Sequence, residues 1–146
     1  MKPRILIVDD DVDLLELLRG ALENAGYFVR TETTGEAALE LAGTFHPELI
    51  LLDVMLPQTN GFSVCEQLRS LPASANTPIM LMTALSGDFP RLEGIESGCN
   101  AYLSKPFQMR DLLLRVEELL SRQTNPPGLP VEAQKVTAPQ SPRLQV

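Results

Sequence analysis

The sequence predicts an α/β domain: a five-stranded parallel sheet with helices on both faces, in the order β-α-β-α-β-α-β-α-β-α. Two observations point there. The first is a set of short apolar runs without alternation, Ile5-Leu6-Ile7-Val8, Leu49-Ile50-Leu51-Leu52 and Ile79-Met80-Leu81-Met82, which read as strands buried on both faces. The second is what ends these runs and the shorter Tyr102-Leu103-Ser104: Asp9-Asp10, Asp53, Thr83 and Lys105. Ligands of open α/β sheets bind outside the carboxyl ends of the strands. Three carboxylates, a hydroxyl and an ammonium therefore converge on one rim, which reads as the active site. An unpaired carboxylate inside a strand is costly, so Asp53 belongs at the open end, within reach of water or a cation.

Each element has its own signature. After Asp9-Asp10-Asp11, Leu14, Leu15, Leu18 and Leu22 form a helical stripe, with acidic residues at the positive end of the dipole and Asn24-Ala25-Gly26 as a stop. Tyr27-Phe28-Val29 opens the second strand. Thr34-Gly35-Glu36 starts a short helix over Ala37 to Leu41 that ends near Gly43, and His46-Pro47 turns the chain into the Asp53 strand. Val54-Met55-Leu56-Pro57 leaves the sheet, and Gln58-Thr59-Asn60-Gly61 reads as a loop. Phe62, Cys65 and Leu68 mark a third helix, and Leu71 to Thr77 is a polar connector. Asp88 and Pro90 mark the start of a fourth helix, weakened by Gly94 and Gly98. Leu112, Leu113, Val116, Leu119 and Leu120 define a last amphipathic helix.

The 146-residue chain reads as a domain over residues 1–122 followed by a Pro-rich linker or tail over 123–146, where Pro126, Pro127, Pro130, Pro139 and Pro142 are spaced among polar residues. A net charge of −7 argues against a broad nucleic-acid-binding surface. Cys65 and Cys99 make neither a disulfide framework nor a metal cluster and read as reduced thiols. The N-terminus leads straight into a strand too short for a signal-peptide core, and no apolar run approaches a membrane span, so a cytoplasmic location is expected. His46, the one histidine, reads as a solvated loop residue.

Clustered carboxylates repel, raising the proton affinity of at least one unless a cation intervenes. All-oxygen sites with few protein donors suit Mg²⁺. A carboxylate is also a nucleophile toward phosphorus, and phosphoryl transfer needs mainly positioning and charge neutralisation. On this reading Asp53 attacks, Asp9 and Asp10 hold the metal, Lys105 neutralises phosphate oxygens and Thr83 hydrogen-bonds the bound phosphoryl group. Singly, each has a plainer reading: a helix N-cap cluster for Asp9-Asp10-Asp11, a surface charge for Lys105, a strand-end hydroxyl for Thr83. The repeated strand-end placement favours the joint one.

These pieces also carry a resemblance. Ile5-Leu6-Ile7-Val8-Asp9-Asp10-Asp11, Leu51-Leu52-Asp53-Val54-Met55-Leu56-Pro57 with Gly61, Met82-Thr83-Ala84 and Tyr102-Leu103-Ser104-Lys105-Pro106-Phe107 resemble the receiver domain of bacterial two-component response regulators, chemotaxis receivers included. The resemblance covers about Lys2 to Arg122. It implies a flavodoxin-like, doubly wound (βα)5 fold with strand order 2-1-3-4-5. It implies that Asp53 accepts a phosphoryl group from the phosphohistidine of a sensor histidine kinase or phosphotransfer protein. Asp10, Asp53 and the Met55 carbonyl would ligate Mg²⁺, with Asp9 holding a metal-bound water. It further implies a cis Lys105–Pro106 bond. On phosphorylation, Thr83 would move toward the phosphoryl group and Tyr102 would turn inward, switching the face formed by the Asp88–Ser97 helix, the Tyr102 strand and the last helix. Such a phosphoprotein catalyses its own phosphorylation and dephosphorylation without turning over a separate substrate, and acts on a downstream effector domain or protein.

Two features individualise the chain. Receivers of transcription factors commonly pair through complementary charges on that face; Arg91, Asp111 and Arg115 fit, whereas Asn100 and Ala101 replace the usual acids and Glu117 a usual base. A weak homodimer is the most this pattern supports. Met55 and Leu85, flanking the phosphoryl position, are apolar and offer nothing to orient an attacking water, so slow self-dephosphorylation is expected. Among rivals, an aspartyl-nucleophile phosphatase would want a second carboxylate where Met55 stands. A nucleotide carrier would want a glycine-rich loop where Asp9-Asp10-Asp11 would repel phosphate. The stronger rival is a receiver-like docking module that is not phosphorylated and acts only through protein–protein contacts.

Overall fold

The computed structural model describes residues 1–84 and 93–121. Strands β1 (Arg4–Val8), β2 (Phe28–Glu32), β3 (Leu49–Asp53), β6 (Ile79–Thr83) and β7 (Ala101–Ser104) form one sheet in the order β2-β1-β3-β6-β7. All its pairings are parallel. Two-residue strands β4 (Met55–Leu56) and β5 (Thr59–Asn60) form a separate antiparallel hairpin; with these set aside, the order is the expected 2-1-3-4-5. The flavodoxin-like doubly wound fold is thus present.

Alternation along the buried strands divides the core. Ile5, Ile7, Leu49, Leu51, Met80 and Met82 pack on one face, against α1 (Val12–Asn24) and α4 (Met109–Ser121). Leu6, Val8, Ile50, Leu52, Ile79 and Leu81 pack on the other, against α2 (Gly35–Phe45) and α3 (Gly61–Ser70). Because both faces are covered, β3 and β6 are buried throughout, which is why they read as unbroken apolar runs.

The helix starts are set by short polar side chains: Asp11, Thr34 and Asn60 each accept a hydrogen bond from the backbone N–H three residues on. Two expectations need correction. Helix α2 extends from Gly35 to Phe45 rather than covering Ala37 to Leu41 and ending near Gly43. Gly43 lies on its exposed side, and the helix ends only where His46 takes a left-handed conformation before Pro47. The stretch after Pro57 is a hairpin rather than an open loop, with Gln58 at φ 68° in its turn. The expected fourth helix is described only at residues 93–96. Its start at Asp88 and Pro90, together with Leu85, Arg91 and the Pro-rich stretch, lies outside the described residues.

Candidate functional site

The register determines which residues meet at the carboxyl end of the sheet. Val8 pairs with Leu52, Asp53 with Met82 and Thr83 with Ser104. Asp9, Asp53, Thr83 and Lys105 therefore leave adjacent strands at neighbouring heights, with Asp10 one residue beyond Asp9. A carboxylate oxygen from each of Asp9, Asp10 and Asp53 lies within 4.8 Å of the others. Asp9 and Asp53 are buried, whereas Asp10 faces solvent.

The backbone holds this arrangement tightly. The Asp9 carboxylate accepts a hydrogen bond from the Asp11 N–H at 2.9 Å through one oxygen and from the Lys105 ammonium at 2.8 Å through the other. Asp11 in turn caps α1, so one three-residue run both orients the buried acid and starts the helix. At the end of the neighbouring strand β3, Gly61, the first residue of α3, lies against the backbone of Asp53 and Val54. A Cβ there would collide with the Asp53 carbonyl oxygen and lie 2.7 Å from Val54 Cα. The Gly61 N–H donates to the Val54 carbonyl at 2.7 Å, drawing the β4–β5 hairpin over the end of β3. Met55, in that hairpin, is 56% exposed. The Lys105 N–H donates to the carbonyl of buried Thr83 at 2.7 Å, and the Lys105–Pro106 peptide is cis, as expected.

The electrostatics follow from crowding. Burial, and then the charge of Asp9, push the Asp53 carboxyl up to about 6, while Lys105 and the Met55 N–H pull the other way. Burial alone would lower the Lys105 ammonium, but hydrogen bonding and charge attraction to Asp9 and Asp53 outweigh it and hold it above its ordinary value. Lys105 is closer to Asp9, at 2.8 Å, than to Asp53, at 3.5 Å. Asp53 is thus the less neutralised of the two buried acids. Hard oxygen donors with residual mutual repulsion form an environment that a small divalent cation relieves, and Mg²⁺ fits it.

Every residue expected on the rim is at or beside it. Tyr102 stands farther back: its ring is half-buried against the second core and its hydroxyl is buried. His46 is exposed at the opposite end of the sheet, as a loop residue should be. Cys65 and Cys99 are free thiols, and burial raises both, Cys99 to about 12. Two residues were given no role by sequence reasoning: Arg69, and Gly94 beyond its low helix propensity. Arg69 binds main-chain carbonyls and Asn100, an arrangement that becomes visible only when distant loops are assembled.

Comparisons with known proteins identify the family. The model of the response regulator receiver domain matches residues 5–117, and the chain belongs to that family. It is similar to the DNA-binding dual master transcriptional regulator RpaA of Synechocystis, at 42% identity over 120 residues covering 82% of this chain and 50% of that protein. The alkaline phosphatase synthesis transcriptional regulatory protein PhoP of Bacillus subtilis is 43% identical over 122 residues, covering 84% and 50%. The chain spans about half the length of these relatives. A putative response regulator from Chloroflexus aurantiacus superposes with a TM-score of 0.79 at 37% identity, covering 84% of this chain and all of that one.

Proposed function

We propose that this receiver domain takes a phosphoryl group onto Asp53 from the phosphohistidine of a partner kinase or phosphotransfer protein. The observation that carries the reading is the meeting of three carboxylates with Lys105 at one rim, with Asp53 the less neutralised buried acid. An Asp53 carboxylate oxygen attacks phosphorus, the P–N bond breaks, and its electron pair returns to the imidazole nitrogen. Asp9, Asp10, Asp53 and the Met55 carbonyl are the groups that would hold Mg²⁺, whose charge would offset that of the transferring phosphoryl group. Lys105 is poised to exchange its contact with Asp9 for phosphoryl oxygens, and Thr83 to hydrogen-bond them. Tyr102 then reports the change to the face of residues 93–96, β7 and α4.

Residues 1–122 act as the receiver in the cytoplasm, and 123–146 as a linker or tail. Output passes to an effector domain or protein; the names of RpaA and PhoP support a transcriptional one. Among the described residues no helix is long and apolar enough to cross a membrane. Intact mass after incubation with acetyl phosphate tests the reading. One phosphoryl adduct is expected with Mg²⁺, none without it, and none in Asp53→Asn. No adduct on folded protein with Mg²⁺ would favour the docking module. With apolar Met55 in the hairpin beside the site and apolar Leu85 two residues after Thr83 in the sequence, the adduct should decay slowly, and a half-life of seconds would overturn that part.

A further inference from the structure

Gly94 lies in the switch face, within helical residues 93–96, and is buried. It is not a conformational glycine: Gly26 and Gly98 have positive φ, and Gly94 does not. Alanine would suit its backbone and would strengthen a helix that glycine weakens. What glycine supplies here is space. A Cβ would lie 3.2 and 3.4 Å from Cδ2 and Cε2 of the Tyr102 ring, and 3.3 Å from Leu81 Cδ1. The first distance is closer than carbon atoms comfortably approach, so the ring would have to shift.

We infer that Gly94 is the seat of the Tyr102 ring, a positioning residue whose missing side chain sets how far the switch aromatic enters the domain. The ring lies along the bare Cα of Gly94 with its hydroxyl buried. Leu81, on the interior strand β6, closes the seat from the sheet side and is fully buried, with no open side to move into. The Tyr102 ring, by contrast, is only half-buried and has a solvent side toward which it can turn about χ1. Crowding at position 94 is therefore relieved mainly by swinging the ring outward. The size of the residue at 94 thereby sets the balance between inward and outward rings, and with it the shape of the face shown to a partner. The functional meaning of that balance rests on the phosphoryl-acceptor reading above; the steric claim does not.

The chain contains two tyrosines and no tryptophan, so Tyr27→Phe leaves Tyr102 as the sole emitter. In that background Gly94→Ala should raise acrylamide quenching of Tyr102 about twofold as the ring moves to the exposed position. The acetyl phosphate adduct at Asp53 should still form. A stability comparison keeps the claim falsifiable if emission is weak: Gly94→Ala should lower the urea midpoint with Tyr102 present and raise it in a Tyr102→Leu background, where only the helix preference remains. Unchanged quenching, or the same midpoint change in both backgrounds, would overturn the inference. A wild type that takes no adduct while Gly94→Ala still exposes the ring would support the steric claim and refute the phosphoryl-acceptor reading.

Discussion

The two ends of the sheet use charge in opposite ways. At the amino end, Arg69 donates to the carbonyls of Gly98, Ser74 and Thr77 and to Asn100 Oδ1, at 2.9, 3.1, 2.7 and 2.6 Å. Asn100 Oδ1 also accepts from the Ile79 N–H, so one guanidinium ties α3, the connector after it and the entries to β6 and β7. Arg4 does similar work nearby, donating to the carbonyls of Phe45 and His46. At the carboxyl end, Asp9, Asp10 and Asp53 are held together with Lys105 between the two buried ones. One end joins positive charge to neutral dipoles and fixes the chain. The other gathers like charges, at a cost in stability, and leaves Asp53 incompletely neutralised.

The largest expected effect is at the amino end. Arg69→Ala removes a donor from four acceptors that were desolvated around it. Hydrogen bonds to charged groups contribute about 1.5–3 kcal/mol each and are not additive, so a loss of about 3 kcal/mol is expected. Urea unfolding would measure it. Phosphoryl uptake at Asp53 should survive in dilute buffer, because the two ends share no side chain. A loss below about 1 kcal/mol would mean that water replaces the guanidinium freely and that the comparison overstates its hold.

At the carboxyl end the sign reverses: removing a charge should stabilise. A carboxyl at about 6 in the folded chain, against 3.8 ordinarily, binds its proton more tightly folded than unfolded. Its favourable contribution is full below about pH 4 and is lost as pH rises through about 6. Asp53→Asn should therefore stabilise the Mg²⁺-free protein by about 2 kcal/mol at pH 7.5, with the gain shrinking toward zero near pH 4. Urea midpoints across that range would test it. Mg²⁺ should raise the wild-type midpoint more than that of Asp53→Asn, narrowing the gap. If Asp53→Asn were less stable than wild type at neutral pH, Lys105 would be neutralising Asp53 fully, and the site would hold no stored repulsion.

The contrast also marks how far the sequence could be read. Carboxyl-end residues announce themselves because each terminates an apolar run, and strand direction alone brings Asp9, Asp53, Thr83 and Lys105 to one rim. The buried strands were legible for the same reason. The amino end was not. Arg69 is a lone base on a helix whose partners lie five to thirty-one residues away, and Asn100 stood out only as a departure from a dimer pattern when its side chain caps a neighbouring strand. Carbonyl acceptors leave no mark in a sequence. Gly94 read as weak helix propensity because spacing cannot distinguish a glycine that loosens a helix from one that makes room for a ring. The length of α2 was missed because an exposed Gly43 was weighed as a stop.

The smallest effect sharpens the comparison most. Glu48 lies 3.5 Å from the Arg4 guanidinium, with both side chains about a third exposed. It also accepts the Arg4 N–H at 2.9 Å, a bond that a neutral amide oxygen can keep. Glu48→Gln should therefore cost no more than about 0.5 kcal/mol, read as a small fall in thermal midpoint, and salt at about 0.5 M should erase the difference. Arg69→Ala should keep its deficit in the same salt, because its partners carry no net charge and the group is largely shielded. If Glu48→Gln instead rivalled Arg69→Ala and responded equally to salt, the amino end would owe its stability to Coulomb attraction between ions. The two ends would then differ only in the sign of their pairing, and saturation of main-chain carbonyls would not be what fixes the chain there.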